Sequence, residues 1–335
     1  MKYLAFITAA CLALPLAAHA ADKALLVGVS SYPTLPRHLQ LAGPANDVRL
    51  MQGMLVRAGL QEANIRVLAS GAAKAADAPT RAAILAALAD LAANASAGDW
   101  VVVYLSGHGS QQPQGVPLNG YIEPDGLDEI FLPQDIGTWD GKTGRVAGAI
   151  IDDEIGLAID AIRAQGAHVW AIFDTCHSGD MAKGALDLER RPVTRQVAPR
   201  ELGVPTGADQ PKKPSLTQMA AKRAGNSQDH RPNPSPGKKQ DKQQGALVTF
   251  YASHADEPAA EERLPDLLTP SKEGKASERR YFGVFTYLLV QAMPAGALGF
   301  QHLADQVSQQ YKSRPYPRPI FEGNLKQAAP FFKAP

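Results

Sequence analysis

Short apolar runs alternate with segments of helical spacing over the first half of the chain. Ala24–Ser30 (ALLVGVS), Ile65–Leu68, Asp99–Ser106 (DWVVVYLS) and His168–Phe173 (HVWAIF) are continuous enough to be strands buried on both faces. Between them, Pro44-Ala45-Asn46-Asp47 opens a helical pattern through Val48, Met51, Leu55 and Val56. Thr80 can cap a helix over Arg81–Ala93, with Ile84, Leu85, Leu88 and Leu91 on one face. Ile151-Asp152-Asp153-Glu154 starts another, its acids suited to the positive end of the helix dipole. Strands separated by helices in this way predict βαβ units and a parallel sheet, hence an α/β class. Ala246–Ser253 (ALVTFYAS) reads as a later strand, Phe282–Met293 and Phe300–Tyr311 as amphipathic helices, and the Pro-rich 314–322 as an extended edge.

Composition divides the chain further. Its 335 residues allow one large domain or two small ones at ~150 residues each. Residues 1–20 (MKYLAFITAACLALPLAAHA) pair a basic start with an apolar run and Ala18-His19-Ala20, which predicts a signal peptide cut after Ala20 and an exported protein, periplasmic or secreted. The run falls short of the ~20 residues a membrane span needs, and no later stretch is long enough. Residues 188–245 hold eight prolines, no aromatic residue, 12 Lys/Arg and 5 Asp/Glu, which predicts a disordered basic insertion. It divides residues 21–187 from 246–330, which read as two parts of one domain. With 34 basic and 33 acidic residues overall, there is no excess of charge to favour nucleic acid. The oligomeric state is not legible.

Loss of residues 1–20 removes Cys11 and leaves Cys176 as the one thiol, so no intramolecular disulfide can form. Cys176 lies in Trp170–Gly179 (WAIFDTCHSG), and His108 lies in Val101–Gly109 (VVVYLSGHG). Each motif is an apolar strand running into a glycine turn, which would set both side chains on the carboxyl rim of one parallel sheet. A Cys–His pair there makes a nucleophile: the imidazole takes the thiol proton and later returns it to the leaving amine. The amides of Gly109 and Cys176 are candidates for an oxyanion hole. The blander alternative is a small buried cysteine and a turn histidine. One thiol and scattered histidines give no zinc spacing. Gly137–Thr143 (GTWDGKT) misses the phosphate-loop spacing by one residue, and no strand precedes it.

The pair SGHG and DTCHSG resembles the caspase-like cysteine peptidases of family C14, above all the metacaspases and their bacterial relatives, the orthocaspases. ALLVGVSSY, the AND at 45–47, EIFLPQD, the IDDE at 151–154, ASHADEPAAE and GVFTYLLVQAM resemble that family in order, over 22–187 and 246–325. The resemblance implies a three-layer α/β sandwich with a central, mostly parallel sheet, and a Cys176–His108 dyad that needs no cofactor for its chemistry. It implies peptide or protein substrates cut after Arg or Lys. Asp174, Asp47 and Ser106 would line the specificity pocket, joined more loosely by Glu261. Their plainer roles would be a turn cap, a helix N-terminal charge and a turn hydroxyl. An Asp-specific peptidase and a non-catalytic binding module are the alternatives. The family also implies calcium as an activator on Asp135, Asp152 and Asp153, with Lys183 where a fourth acid is expected. It implies self-cutting in the insertion, which offers basic pairs at 190–191, 212–213, 222–223 and 238–239.

Overall fold

The apolar runs become strands of one sheet in the computed structural model, which describes residues 22–74, 77–118, 120, 122–176, 193–205, 244–253, 258–269, 278–293 and 299–332. In chain order the elements are β1 (Lys23–Gly28), α1 (Pro44–Arg57), β2 (Ile65–Ala69), α2 (Arg81–Asn94), β3 (Trp100–Ser106), β4 (Gly109–Pro113), β5 (Leu127–Phe131), β6 (Trp139–Asp140), β7 (Arg145–Val146), β8 (Ile150–Ile151), α3 (Asp152–Ala164) and β9 (His168–Asp174). There follow β10 (Val193–Thr194), β11 (Leu247–Tyr251), β12 (Ala260–Pro265), β13 (Arg279–Gly283), α4 (Val284–Ala292), α5 (Phe300–Tyr311) and β14 (Ile320–Gly323). The main sheet has the order β14-β11-β9-β3-β1-β2. Five strands are parallel, and β14, from the Pro-rich segment, closes one edge antiparallel.

Strand alternation explains the two flanking layers. Leu26, Val102, Tyr104, Trp170 and Ile172 face a core shared with Met51 and Met54 of α1, Phe285 and Leu288 of α4, and Phe300 and Leu303 of α5. Leu25, Val27, Val101, Val103, Val169 and Ala171 face the opposite core with Ile84 and Leu88 of α2 and Ile155 and Ile159 of α3. The continuous apolar strands are thus buried on both faces, as parallel strands require. Thr80 caps α2, its Oγ1 accepting from Ala83 N at 3.3 Å. Arg81 and Glu154 join α2 to α3 through two bonds of 2.9 and 2.6 Å. Helix α4 begins at Val284, later than its spacing predicts, because Phe282 pairs with Glu262 in the small sheet β10-β12-β13.

One expectation needs correction. Residues 193–205 lie within the span read as disordered, yet they form β10 and a 3-10 turn over Pro199–Leu202. Val197, Leu202 and Val204 are buried in the core on the α2/α3 side. A count averaged over the whole polar stretch conceals this short cluster of apolar side chains. The leader, the basic pairs proposed for self-cutting, and Lys183 lie outside the described residues.

Candidate active site

Strands β3 and β9 are neighbours, with Ser106 opposite Asp174. His108 and Cys176 each follow two residues later, so the crossover through α3 brings together positions 68 residues apart. Both are buried. The chain must pass tightly here: a Cβ on Gly109 would sit 1.6 Å from the Cys176 carbonyl oxygen, so only glycine fits.

The histidine is held from two sides. Its Nε2 lies 2.7 Å from the Leu39 carbonyl, which can only accept. Nε2 therefore carries the proton, leaving Nδ1 as the basic nitrogen, without a hydrogen-bond partner among the described residues. Its backbone N–H donates to the Tyr32 hydroxyl at 2.8 Å, and that hydroxyl donates to the Val29 carbonyl at 3.0 Å. The Tyr32 ring packs against the imidazole with centroids 5.0 Å apart. On the sulfur, Ala259 N–H donates at 2.9 Å.

Between these groups lies Arg195, which sequence reasoning missed. Its carbonyl accepts from Gly109 N at 3.0 Å, and its own N–H donates to the Ala259 carbonyl at 2.9 Å. Its backbone reaches both His108 and Cys176 and favours the charged form of each. Burial dominates nonetheless. It pushes the His108 imidazole down to about 4 and the Cys176 thiol up to about 12. With Arg195 in place, both groups are neutral at neutral pH.

The Arg195 side chain enters a buried pocket of carboxylates. Nη2 meets Asp47 Oδ2 at 2.5 Å and Glu261 Oε2 at 3.6 Å, while Nη1 meets Asp174 Oδ1 at 3.0 Å. Nη1 also donates to Ser106 Oγ at 2.9 Å and to the Asp174 carbonyl at 3.0 Å. Burial opposes the guanidinium charge, but Asp174, Asp47 and Glu261 outweigh it and hold it charged. Burial also raises Asp47 to about 7, Arg195 pulling it down and Asp174 pushing it up.

Each carboxylate has its own donors. Gly283 N and Ser106 Oγ each donate to Asp47 at 2.9 Å. Thr286 donates to Asp174 Oδ2 through N at 3.2 Å and Oγ1 at 2.5 Å. Ala42 N and Gly43 N each donate to Glu261 at 3.0 Å. The pocket thus gathers all four residues expected to line it and adds Thr286. A Cβ at Gly283 would meet Asp174 Oδ2 at 2.2 Å and Arg195 Nη1 at 2.7 Å, so this glycine makes the space for the cation.

The expected calcium set does not assemble. Asp135 Oδ1 accepts from Arg81 N at 2.8 Å at the start of α2, and Asp153 Oδ2 accepts from Leu118 N at 3.1 Å. Only Asp152 joins a cluster, with Glu123 and Glu129, whose oxygens lie within 4.8 Å of one another. Motif position alone does not reveal these side-chain directions: Glu129 opens the EIFLPQD segment without being singled out as a ligand, and Glu123 lies outside the segments that carry the resemblance.

Comparison with known proteins bears on family and fold. Residues 22–185 match the family described as metacaspase, peptidase C14 domain. Metacaspase-1 of Candida albicans is 34% identical over 160 residues, 48% of this chain and 33% of that protein. Metacaspase-1 of Emericella nidulans is 36% identical over 167 residues, 50% of this chain and 37% of that protein. The chain therefore matches about a third of these relatives' length. The crystal structure of protein GSU0716 from Geobacter sulfurreducens shares the fold, with a TM-score of 0.56 at 18% identity over 93% of this chain and 97% of that one. Through residues 22–185, the chain belongs to the metacaspase family of peptidase C14 domains, a family of cysteine-type endopeptidases.

Proposed function

We propose that this chain is a cysteine endopeptidase that cuts after Arg or Lys. The observation that supports this reading is the placement of Arg195, its guanidinium among three carboxylates while its carbonyl accepts from Gly109 N. Charge-assisted bonds of this kind favour a cation at the residue before the cut. An aspartate there would meet like charge, which disfavours the Asp-specific alternative. In the proposed reaction His108 Nδ1 takes the Cys176 proton, and the sulfur attacks the substrate carbonyl. The Gly109 amide stabilises the oxyanion, as donors fixed in place before charge develops do most effectively. No hydrogen bond from the Cys176 amide to the Arg195 carbonyl is found among the described residues, so Gly109 is the donor the geometry supports. The C–N bond then breaks as His108 returns the proton to the leaving amine, and water hydrolyses the resulting thioester to a carboxylate and the free thiol.

The proposal extends to self-cutting, for which the geometry nominates Arg195–Gln196. It also extends to export, through the leader-like residues 1–20. Calcium is retained as an activator, with the ligand set changed to Glu123, Glu129 and Asp152. These are hard oxygen donors of the kind calcium prefers. They would hold the ion apart from the dyad, where it supplies charge neutralisation and takes no part in bond breaking.

The decisive experiment is a panel of fluorogenic peptides varied at the residue before the cut, run on wild type and on Cys176→Ala. Arg and Lys peptides should be turned over by wild type alone, and a mapped fragment should end at Arg195 only in wild type. Turnover of Asp peptides in preference, or the same fragments from both proteins, would falsify the reading. Failure of a basic peptidyl electrophile to label Cys176 in a folded protein would favour the binding module.

A further inference from the structure

Residues 193–204 are anchored on both sides of the Arg195–Gln196 bond, and Gly109 holds both, its N–H donating to the Arg195 carbonyl and its carbonyl accepting from Val197 N. Upstream, Val193 and Thr194 pair with Glu261 and Ala260, extending the β12–β13 sheet by a strand. Arg195 N donates to the Ala259 carbonyl, and its guanidinium fills the pocket. Downstream, Val197 N donates to the Gly109 carbonyl at 3.0 Å, and Ser110 Oγ donates to the Val197 carbonyl at 2.6 Å. Val197, Leu202 and Val204 then sink into the core on the α2/α3 side. Burying three aliphatic side chains stabilises this flank by roughly 1.5–3 kcal/mol each.

We propose that residues 193–204 act as a tethered, substrate-like inhibitor, and that displacement of Arg195, not scission after it, opens the site. This rests on the peptidase reading above. Attack by Cys176 Sγ on the Arg195 carbonyl carbon forms a thioester and breaks the bond to Gln196 N. His108 passes the thiol proton to that nitrogen, which leaves as an amine. Val197 and Leu202 keep the amine beside the thioester, where its effective concentration is that of an intramolecular reactant. Attack by the amine re-forms the peptide and returns the proton and the sulfur. Attack by water instead gives an Arg195 carboxylate, still held by β12 and the acidic pocket. Intact and nicked chains therefore share one blocked site.

The test compares Arg195→Ala, Leu202→Asp and wild type in intact and nicked form, on an Arg fluorogenic peptide and a basic peptidyl electrophile. The first variant empties the pocket. The second leaves the pocket and its arginine in place and unseats the downstream flank. Both should turn over the peptide faster than either form of wild type, Arg195→Ala by roughly 100-fold, the block set by a tethered occupant at about 1 mM effective concentration with a dissociation constant of about 10 μM. Purified nicked wild type should also regain some intact chain by mass, and nicked Leu202→Asp should not. Full activity in nicked wild type, with both variants folded and slow, would overturn this inference and leave the peptidase reading standing. No turnover and no labelling in any form would overturn both.

Discussion

Two groups of carboxylates lie in this domain, and they are furnished differently. Asp47, Asp174 and Glu261 each receive donors from the protein, and Arg195 lies among them. Glu123, Glu129 and Asp152 have few donors, and no basic side chain is among the causes that shift them. Burial first, and their acidic neighbours second, raise Glu123 to about 8, Asp152 to about 7, and Glu129 well above its ordinary value. Even beside a guanidinium, burial lifts Asp47 to about 7. Fixed donors make the first group a socket for a side chain that arrives already charged. The second group holds protons more tightly than ordinary carboxylates do, and a bound cation would compete with them.

Breaking the first group should have the largest effect. Asp174→Asn removes one charge at the pocket floor while preserving size and the acceptor for Thr286. Loss of a charge-assisted contact to a buried cation predicts a fall of roughly 10²–10³ in kcat/KM on Arg peptides, about 3–4 kcal/mol of transition-state binding. Cutting after Arg195 should fall with it. Steady-state kinetics and fragment mapping measure both, and unchanged turnover of Arg peptides would detach the pocket from specificity.

The sequence made the sheet and the shared rim of His108 and Cys176 legible for one reason: each motif directly follows an apolar strand, and neighbouring parallel strands end at the same rim. Asp47, Ser106, Asp174 and Glu261 were found through a family pattern, and the fold brings them together. Arg195 was hidden because its environment comes from segments distant in sequence, and its own surroundings (Pro192, Pro199, Arg200) average to a polar stretch. The three acids expected to hold calcium do not share one cluster for a related reason. Asp135 and Asp153 hold the expected positions, but backbone N–H groups claim their carboxylates. The glycine at 283 falls inside the span that reads as a helix over Phe282–Met293, and its need for space beside Asp174 exists only in the folded chain.

Acid sharpens the comparison at the first group, because its Asp47 and the neighbouring active-site residue His108, both buried, pull in opposite directions. The folded His108 value of about 4 lies below the ordinary 6.5, so its contribution is present above pH 6.5 and lost as pH falls toward 4. The folded Asp47 value of about 7 lies above the ordinary 3.8, so its contribution is present at low pH and lost as pH rises from about 4 to about 7. In wild type the two slopes largely offset each other. His108→Asn removes one of them. Relative to wild type, its melting temperature should fall between pH 4.5 and pH 7.5. The differential is on the order of 2–3 kcal/mol between the two pH values. Other acids cancel in the difference, so a variant that tracks wild type across the range would show that His108 is not held neutral by burial.

The second group should respond to calcium by a smaller amount. An ion bound only by the folded chain stabilises it by about 1.4 kcal/mol at ten times its dissociation constant, a rise of a few degrees in melting temperature. Oxygen ligands must be deprotonated to bind, so the shift should be larger at pH 8 than at pH 5.5. Glu129→Gln removes one ligand charge and should abolish the shift. Asp135→Asn should retain it, because that carboxylate is committed to the start of α2. The test uses Cys176→Ala, so that self-cutting cannot alter the melt. Loss of the shift in Asp135→Asn with retention in Glu129→Gln would return the ion to the position expected from the family pattern. A shift independent of both would place it elsewhere on the surface.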